Sequence, residues 1–174
     1  MPKRDVQLKK QFHIRKNELD FNSIKPVQNK EGYAKPDHGF WTATYMSDLE
    51  YGAHFNEVLN WTGKWHLIDP KEANIFVVEE LEDVQFLLEH YGRRASKHDG
   101  ITFVDFEKLS RDFDALQLTQ QCFEEGSPVK TLELEGYGEL DINNSALHPF
   151  YQWAGESTLW FNIKFNKYEI VDET

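Results

Sequence analysis

The sequence interleaves strand-like and helix-like segments without the regular alternation of a doubly wound sheet, and this order most constrains its fold. β-Branched and aromatic runs, or alternating apolar and polar residues, predict strands at Phe12–Arg15, Gly39–Tyr45, Asn74–Glu79, Ala115–Leu118, Thr131–Leu134, Ser157–Phe165 and Tyr168–Val171. Apolar residues at helical spacing, or a capping box, predict helices from Ser47 to about Trp61, at Leu81–Tyr91 and at Asp105–Phe113. This arrangement favours an α+β fold with a mixed, largely antiparallel sheet flanked by helices.

The connections between these segments predict one domain. No internal repeat, low-complexity tract or linker divides the 174 residues, and residues 1–10 read as a basic, flexible N-terminal arm. The stretch from Asn22 to Pro36 is rich in Lys, Asn and Gly and predicts a loop. Only Asn166 and Lys167 separate the last two predicted strands, which is typical of a hairpin.

Charge and cysteine content limit the class of partner. The net charge of -11 repels polyphosphate at long range and argues against duplex DNA as a partner. Cys122 is the single cysteine, so the chain has neither an internal disulfide framework nor a Cys-rich zinc site. The seven histidines lack metal-ligand spacing, and no metal is expected. No apolar run resembles a signal peptide or a membrane span, which indicates a cytoplasmic protein without a membrane partner.

Three segments carry side chains that suit catalysis or ligand binding. The first is Phe12–Arg15, whose polar face bears His13 and Arg15. The second is the run from Lys35 to Tyr45, and the third begins at Gly155 with the letters GESTLWF. In the third segment, Glu156 stands at the mouth of an apolar strand, where a carboxylate suits the stabilisation of positive charge. The alternative is that Glu156 merely begins a strand on a wet face.

The order of these segments resembles the ADP-ribosyltransferase superfamily. FHIR is similar to its first motif, GFWTATY to its second and GEST to its third. The pairing of a KP-x-x-G-F-W-T-x-T-Y block with a late E-S-T-L-W-F block resembles a bacterial and phage subgroup of that superfamily. The likeness extends from about Phe12 to Phe161, and it implies a split sheet, NAD as substrate and a role in phage–host conflict, for example as a toxin.

The resemblance also implies a role for each motif residue. Glu156 would be the catalytic carboxylate, bonding the nicotinamide ribose and stabilising an oxocarbenium-like transition state as nicotinamide leaves. The NAD-binding residues would be His13, Arg15, Trp41, Thr42, Thr44 and Tyr45. Either of the first two could be the first-motif residue. Two positions before the catalytic Glu, members of the superfamily often carry a Gln or Glu that is linked to protein side-chain acceptors. Ala154 stands at that position here, which argues against transfer to arginine.

Strand alternation divides the second motif between two faces. Thr42 and Thr44 share a face with Phe40, whereas Trp41 and Tyr45 point to the other. Bringing all four to one pocket therefore needs a bulge or a pocket edge. On the third motif, alternation groups Glu156 with Thr158 and Trp160, and it sends Ser157, Leu159, Phe161 and Ile163 toward the core. Core packing is the alternative role of Trp41, Tyr45, Trp160 and Phe161.

Two other classes of function fit the same residues. One is a non-catalytic module that binds NAD or a nucleotide, and the other is an acidic antagonist that occupies a basic site on a partner protein. RNA 2'-phosphotransfer shares a similar fold, but the sequence reveals no basic RNA-phosphate pocket. For a transferase, the acceptor remains open among protein, nucleic acid, a small molecule and water.

Overall fold

The computed structural model describes residues 5–15, 17, 19–45, 64–94, 102–119, 131–136, 138–141, 149, 150, 153 and 156–172. Within them lie the strands β1 (Gln11–Arg15), β2 (Phe40–Thr44), β3 (Lys64–Pro70), β4 (Ile75–Val78), β5 (Gly92–Arg94), β6 (Thr102–Val104), β7 (Ala115–Leu118), β8 (Thr131–Leu134), β9 (Gly138–Asp141), β10 (Ser157–Trp160) and β11 (Phe165–Asp172). The helices are α1 (Leu81–Tyr91) and α2 (Phe106–Asp112), and a 3-10 turn covers Phe21–Ser23. The helix expected between Ser47 and Trp61 lies outside the described residues, as does Cys122.

Seven of the strands form one sheet in the order β11-β3-β1-β2-β10-β7-β4. Every neighbouring pair is antiparallel except β4 and β7, which run parallel. Two further ribbons pair β5 with β6 and β8 with β9. The prediction of a mixed, largely antiparallel sheet with helices is confirmed. Neither described helix is long and apolar enough to cross a membrane.

Local sequence explains both helices. A capping box opens α1, because the side chains of Glu80 and Asp83 bond reciprocally to backbone N–H groups. In α2, the carboxylate of Asp105 accepts from the backbone N–H of Lys108. The apolar stripes of both helices are buried in a cluster on one face of the sheet, which we call the helix-side cluster. Its members include Val84, Leu87, Leu88, Phe106, Leu109, Phe76 and Leu116. A second cluster, which includes Phe40, Ile68, Ile75 and Trp160, forms separately.

The sheet is weakly joined between β1 and β2. Their paired register comprises Gln11 with Thr44 and Phe12 with Ala43, and it ends there. On its other side, β1 pairs with β3 along its whole length, from Gln11 to Arg15. The β1–β2 ladder is therefore the shortest within the seven-stranded sheet.

The predicted hairpin at the end of the chain is wrong. After β10, the backbone N–H groups of Phe161 and Asn162 both donate to the carbonyl of Asp114, which draws the chain out of the ladder. The last strand, β11, then pairs with β3 at the far edge of the sheet. Asn166 and Lys167 lie inside β11, where the register shifts between Phe165 and Lys167.

Both faces of β10 are buried. Leu159 packs into the helix-side cluster, whereas Trp160 packs into the second cluster, and both are fully buried. Thr158 is equally buried, and Glu156 is only 7% exposed. The alternative in which Glu156 begins a strand on a wet face is therefore excluded.

Candidate functional site

The three segments singled out in the sequence lie on three adjacent strands. β2 stands between β1 and β10, and it carries the second motif between the first and the third. Gln11 is the register partner of Thr44 across the first of these ladders, and Thr42 is the partner of Thr158 across the second. Directly paired residues point to the same face of a sheet. Gln11, Thr44, Thr42 and Thr158 thus share one face with Glu156, which we call the Glu156 face.

Thr44 holds the carboxylate of Glu156 with two hydrogen bonds. The backbone N–H of Thr44 donates to Oε2 at 3.1 Å, and its hydroxyl donates to Oε1 at 2.7 Å. Both carboxylate oxygens therefore accept, and such hydrogen bonds are stronger when the acceptor is ionised. Each oxygen keeps lone-pair capacity for a further donor.

Two opposing influences act on the Glu156 carboxyl. Burial raises its pKa, because a charge in a poorly solvated site lacks the stabilisation of water. The side-chain and backbone hydrogen bonds from Thr44 lower the pKa and oppose that change. A carboxylate kept out of water by the fold interacts more strongly with a positive charge than an exposed one does.

A chain of hydrogen bonds leads into Thr44 from the neighbouring strands. The indole N–H of Trp160 donates to the hydroxyl oxygen of Thr42 at 3.0 Å. That hydroxyl donates to Gln11 Oε1 at 2.7 Å, and Gln11 Nε2 donates to the hydroxyl oxygen of Thr44 at 3.2 Å. Thr44 completes the chain at Glu156. Gln11 was not predicted as a site residue, although alternation from His13 places it on the same face of β1.

His13 bonds across the place where the β1–β2 register ends. Its Nδ1 lies 2.7 Å from the carbonyl oxygen of Trp41. A carbonyl only accepts, so Nδ1 carries the proton and Nε2 of the neutral ring is an acceptor. Burial lowers the pKa of His13 to about 4; the Trp41 carbonyl opposes this, and electrostatic interactions with His66 and Arg15 add to it. His13 is therefore a neutral imidazole at pH 7.

Arg15 occupies the far end of β1. It is paired with Lys64 of β3 and is half-buried, two residues from His13 on the same face of the strand. A guanidinium with access to solvent suits a phosphate oxygen, since its fork of N–H groups binds such oxygens in a bidentate manner. His13 and Arg15 thus offer different chemistry: an uncharged acceptor beside β2, and a cation farther along the same strand.

The aromatic residues of the second motif point away from Glu156. Trp41 packs edge-on against Trp153, with ring centroids 4.6 Å apart, and borders the helix-side cluster. Tyr45 borders a small cluster that contains Phe12 and Ala43. The structure therefore brings Thr42 and Thr44 to the Glu156 face but does not bring Trp41 and Tyr45 there. No bulge interrupts the register of β2 with β10 between Phe40 and Thr42.

Two buried polar atoms on the Glu156 face have no hydrogen-bond partner within the described part of the chain. They are the hydroxyl oxygen of Thr158 and Nε2 of His66, on residues that are fully buried. His66 is the register partner of His13, and their ring centroids lie 6.4 Å apart. Among the described residues, no group of three or more His, Cys, Asp or Glu side chains is arranged to hold a metal ion.

Comparisons with protein-family models, with curated proteins and with solved structures find no match to this chain.

Proposed function

We propose that this protein is an NAD-dependent ADP-ribosyltransferase with an ADP-ribosyltransferase-like fold. It cleaves the bond between nicotinamide and ribose and transfers ADP-ribose to a macromolecular acceptor. One observation carries the proposal: the three motif segments, far apart in sequence, lie on adjacent strands, and Thr44 of the second motif holds Glu156 of the third. The weak join between β1 and β2 agrees with the split sheet that the resemblance implies.

The groups at the site suit the parts of NAD. Glu156 has lone pairs left for a ribose hydroxyl, and a neutral His13 presents Nε2 as a second acceptor. Arg15 is a cation for a phosphate oxygen. Thr42 is already committed to Trp160 and Gln11, so its contribution is indirect. Nicotinamide stacking on Trp41 or Tyr45 is no part of the proposal, because both point away from the Glu156 face.

The chain contributes electrostatics more than covalent chemistry. NAD supplies an activated glycosidic bond, from which nicotinamide departs with the bonding electron pair while a nucleophile of the acceptor attacks the ribose carbon and loses its proton. Glu156 accepts a hydrogen bond from the ribose hydroxyl and stabilises the positive charge that develops on the ribose. Thr44 keeps the carboxylate oriented, which avoids reorganisation during the reaction. Removing such a group costs about 100-fold or more in rate.

The proposed setting follows from charge and from the resemblance. A net charge of -11 argues against duplex DNA as the acceptor and leaves a protein or another nucleic acid. We place the activity in the cytoplasm, where NAD is plentiful, in a conflict between phage and bacterium.

The test follows nicotinamide release from NAD labelled on its adenine side, with and without cell lysate. Glu156→Gln is compared with wild type and with Glu169→Gln, a matched change at an exposed glutamate of β11. Release or label transfer that is lost only in Glu156→Gln supports the transferase. Binding of NAD without turnover by all three proteins indicates a binding module instead, and the absence of binding limits the likeness to the fold.

A further inference from the structure

We propose that Gln11 is a positioning residue: it fixes the direction of the Thr44 hydroxyl and thereby holds Glu156 as an oriented anion. Gln11 is fully buried at the start of β1, and its side chain bonds Lys9, Thr42 and Thr44. The importance of Gln11 for catalysis rests on the proposed function of Glu156. The effect of Gln11 on the ionisation of Glu156 is independent of that function.

The orientation of the Gln11 amide is fixed at both ends. Its Nε2 donates to the backbone carbonyl of Lys9 at 3.1 Å, and a carbonyl only accepts. Its Oε1 accepts from the hydroxyl of Thr42, whose oxygen accepts the indole N–H of Trp160. A flipped amide would place its oxygen against the Lys9 carbonyl, acceptor against acceptor, and would take the acceptor away from the Thr42 proton. The amide therefore has one orientation.

That orientation determines the proton of Thr44. Because Gln11 Nε2 donates to the hydroxyl oxygen of Thr44, the Thr44 proton is directed to its other partner, Glu156 Oε1, at 2.7 Å. The backbone N–H of Thr44 already occupies Oε2. A proton on Glu156 would weaken both hydrogen bonds, because a neutral carboxyl is a poorer acceptor than a carboxylate. The chain from Trp160 to Thr44 thus favours the carboxylate over the acid.

No charged side chain that the structure describes on the surrounding strands takes over the role of these hydrogen bonds in stabilising the Glu156 carboxylate. Among the described residues of β1, β2, β7 and β10, the titratable side chains are His13 and Arg15. His13 is neutral at pH 7, and Arg15 lies at the opposite end of β1 from Gln11. No ion pair of Glu156 occurs within the described residues. Uncharged hydrogen-bond donors therefore carry the stabilisation of this buried anion.

The test measures ionisation of Glu156 directly. Carboxyl-labelled glutamate is titrated by carbon NMR in wild type, Gln11→Met and Gln117→Met, and Glu156→Gln assigns the signal. Gln117 is a matched control, because it is a nearly buried glutamine of β7 on the same face with no bond to Thr44 or Glu156. We expect Gln11→Met to make ionisation of Glu156 about tenfold less favourable, and Gln117→Met to leave it unchanged. Equal titration of Gln11→Met and wild type overturns the proposal, as does an equal change in both variants.

A second pair of variants covers the case in which Gln11→Met does not fold. Thr42→Val removes the donor to Gln11 Oε1, whereas Thr158→Val removes a hydroxyl directly across the ladder that has no hydrogen-bond partner among the described residues. Only Thr42→Val should disfavour ionisation of Glu156, and an effect of Thr158→Val as large as that of Thr42→Val contradicts the proposal. If wild type releases nicotinamide, Gln11→Met should lower kcat while leaving KM for NAD unchanged. If wild type releases none, the proposed function fails and the titration still decides the role of Gln11.

Discussion

Replacement of His13 by asparagine isolates the free energy of burying a neutral imidazole beside β2. The amide Nδ2 of asparagine occupies nearly the position of the imidazole Nδ1–H, so the bond to the Trp41 carbonyl is retained. Asparagine does not titrate. The variant therefore removes the protonation equilibrium of His13 and keeps its hydrogen bond, while the smaller side chain adds an offset that is the same at every pH.

The magnitude follows from the pKa of His13, which burial lowers from 6.5 to about 4. Above pH 6.5 the ring is neutral in both the folded and the unfolded chain, and its contribution to stability is fully present. Between pH 6.5 and 4 the unfolded chain takes up a proton that the folded chain does not, so stability is lost as the pH falls. The loss attributable to His13 amounts to about 3 kcal/mol by pH 4.

The assay is urea unfolding, followed by tryptophan fluorescence at several values of pH between 7.5 and 4. The free energy of unfolding of wild type, minus that of His13→Asn, should fall by about 3 kcal/mol over this range. His90→Asn is the control, because His90 also bonds a carbonyl through Nδ1 but is exposed to water. A constant difference between wild type and His13→Asn, or one that grows as the pH falls, would refute the burial of a neutral ring.

Three further predictions concern the same strands. Thr44→Val should make ionisation of Glu156 about tenfold less favourable and slow nicotinamide release, because a hydroxyl donor to the carboxylate is lost; carbon NMR and the release assay measure these effects. Gly39→Ala should destabilise the fold by about 2 kcal/mol or more in urea unfolding, since φ is +78° and the new Cβ would lie 2.7 Å from Leu159 Cδ1. Gly32→Ala, at φ +76° with open space around it, should cost less. Burial raises the pKa of Glu156, so wild type should gain stability relative to Glu156→Gln as the pH falls from neutral through that pKa.

Local patterns in the sequence predict the helices and strands that have one apolar and one polar face. The helix over Leu81–Tyr91 is confirmed at both ends, because its apolar stripe and its capping box are local properties. The strands β1 and β2 are confirmed to within one residue at each end, whereas the strand predicted to reach Phe165 ends at Trp160 as β10. In each case the side-chain period or the residue types within the segment identify the element.

Elements that depend on contacts distant in sequence were predicted wrongly or not at all. The predicted hairpin fails because Asp114, far away in sequence, accepts hydrogen bonds from the backbone after β10 and redirects the chain. The strand β3 was not predicted, since its stability comes from pairing with β1 on one side and β11 on the other. Partners that lie tens of residues away leave no periodic signal in the segment itself.

Alternation groups the candidate residues by face but does not reveal which of them touch. It places Thr42 with Thr44, and Glu156 with Thr158 and Trp160, and the structure agrees with both groupings. The bond between Thr44 and Glu156 spans 112 residues, so it depends on strand order and register. The role of Gln11 was not predicted for the same reason, because its hydrogen bonds form only when β1, β2 and β10 are assembled.

The most direct measurement of the central claim is nicotinamide release by purified wild type and Glu156→Gln at matched concentration, each shown to be folded by its unfolding transition. We expect release by wild type and a loss of about 100-fold or more in Glu156→Gln, with Glu169→Gln behaving as wild type. Equal release by wild type and Glu156→Gln would contradict the role given to this carboxylate. The absence of release from wild type, with and without lysate, would contradict the proposed transferase.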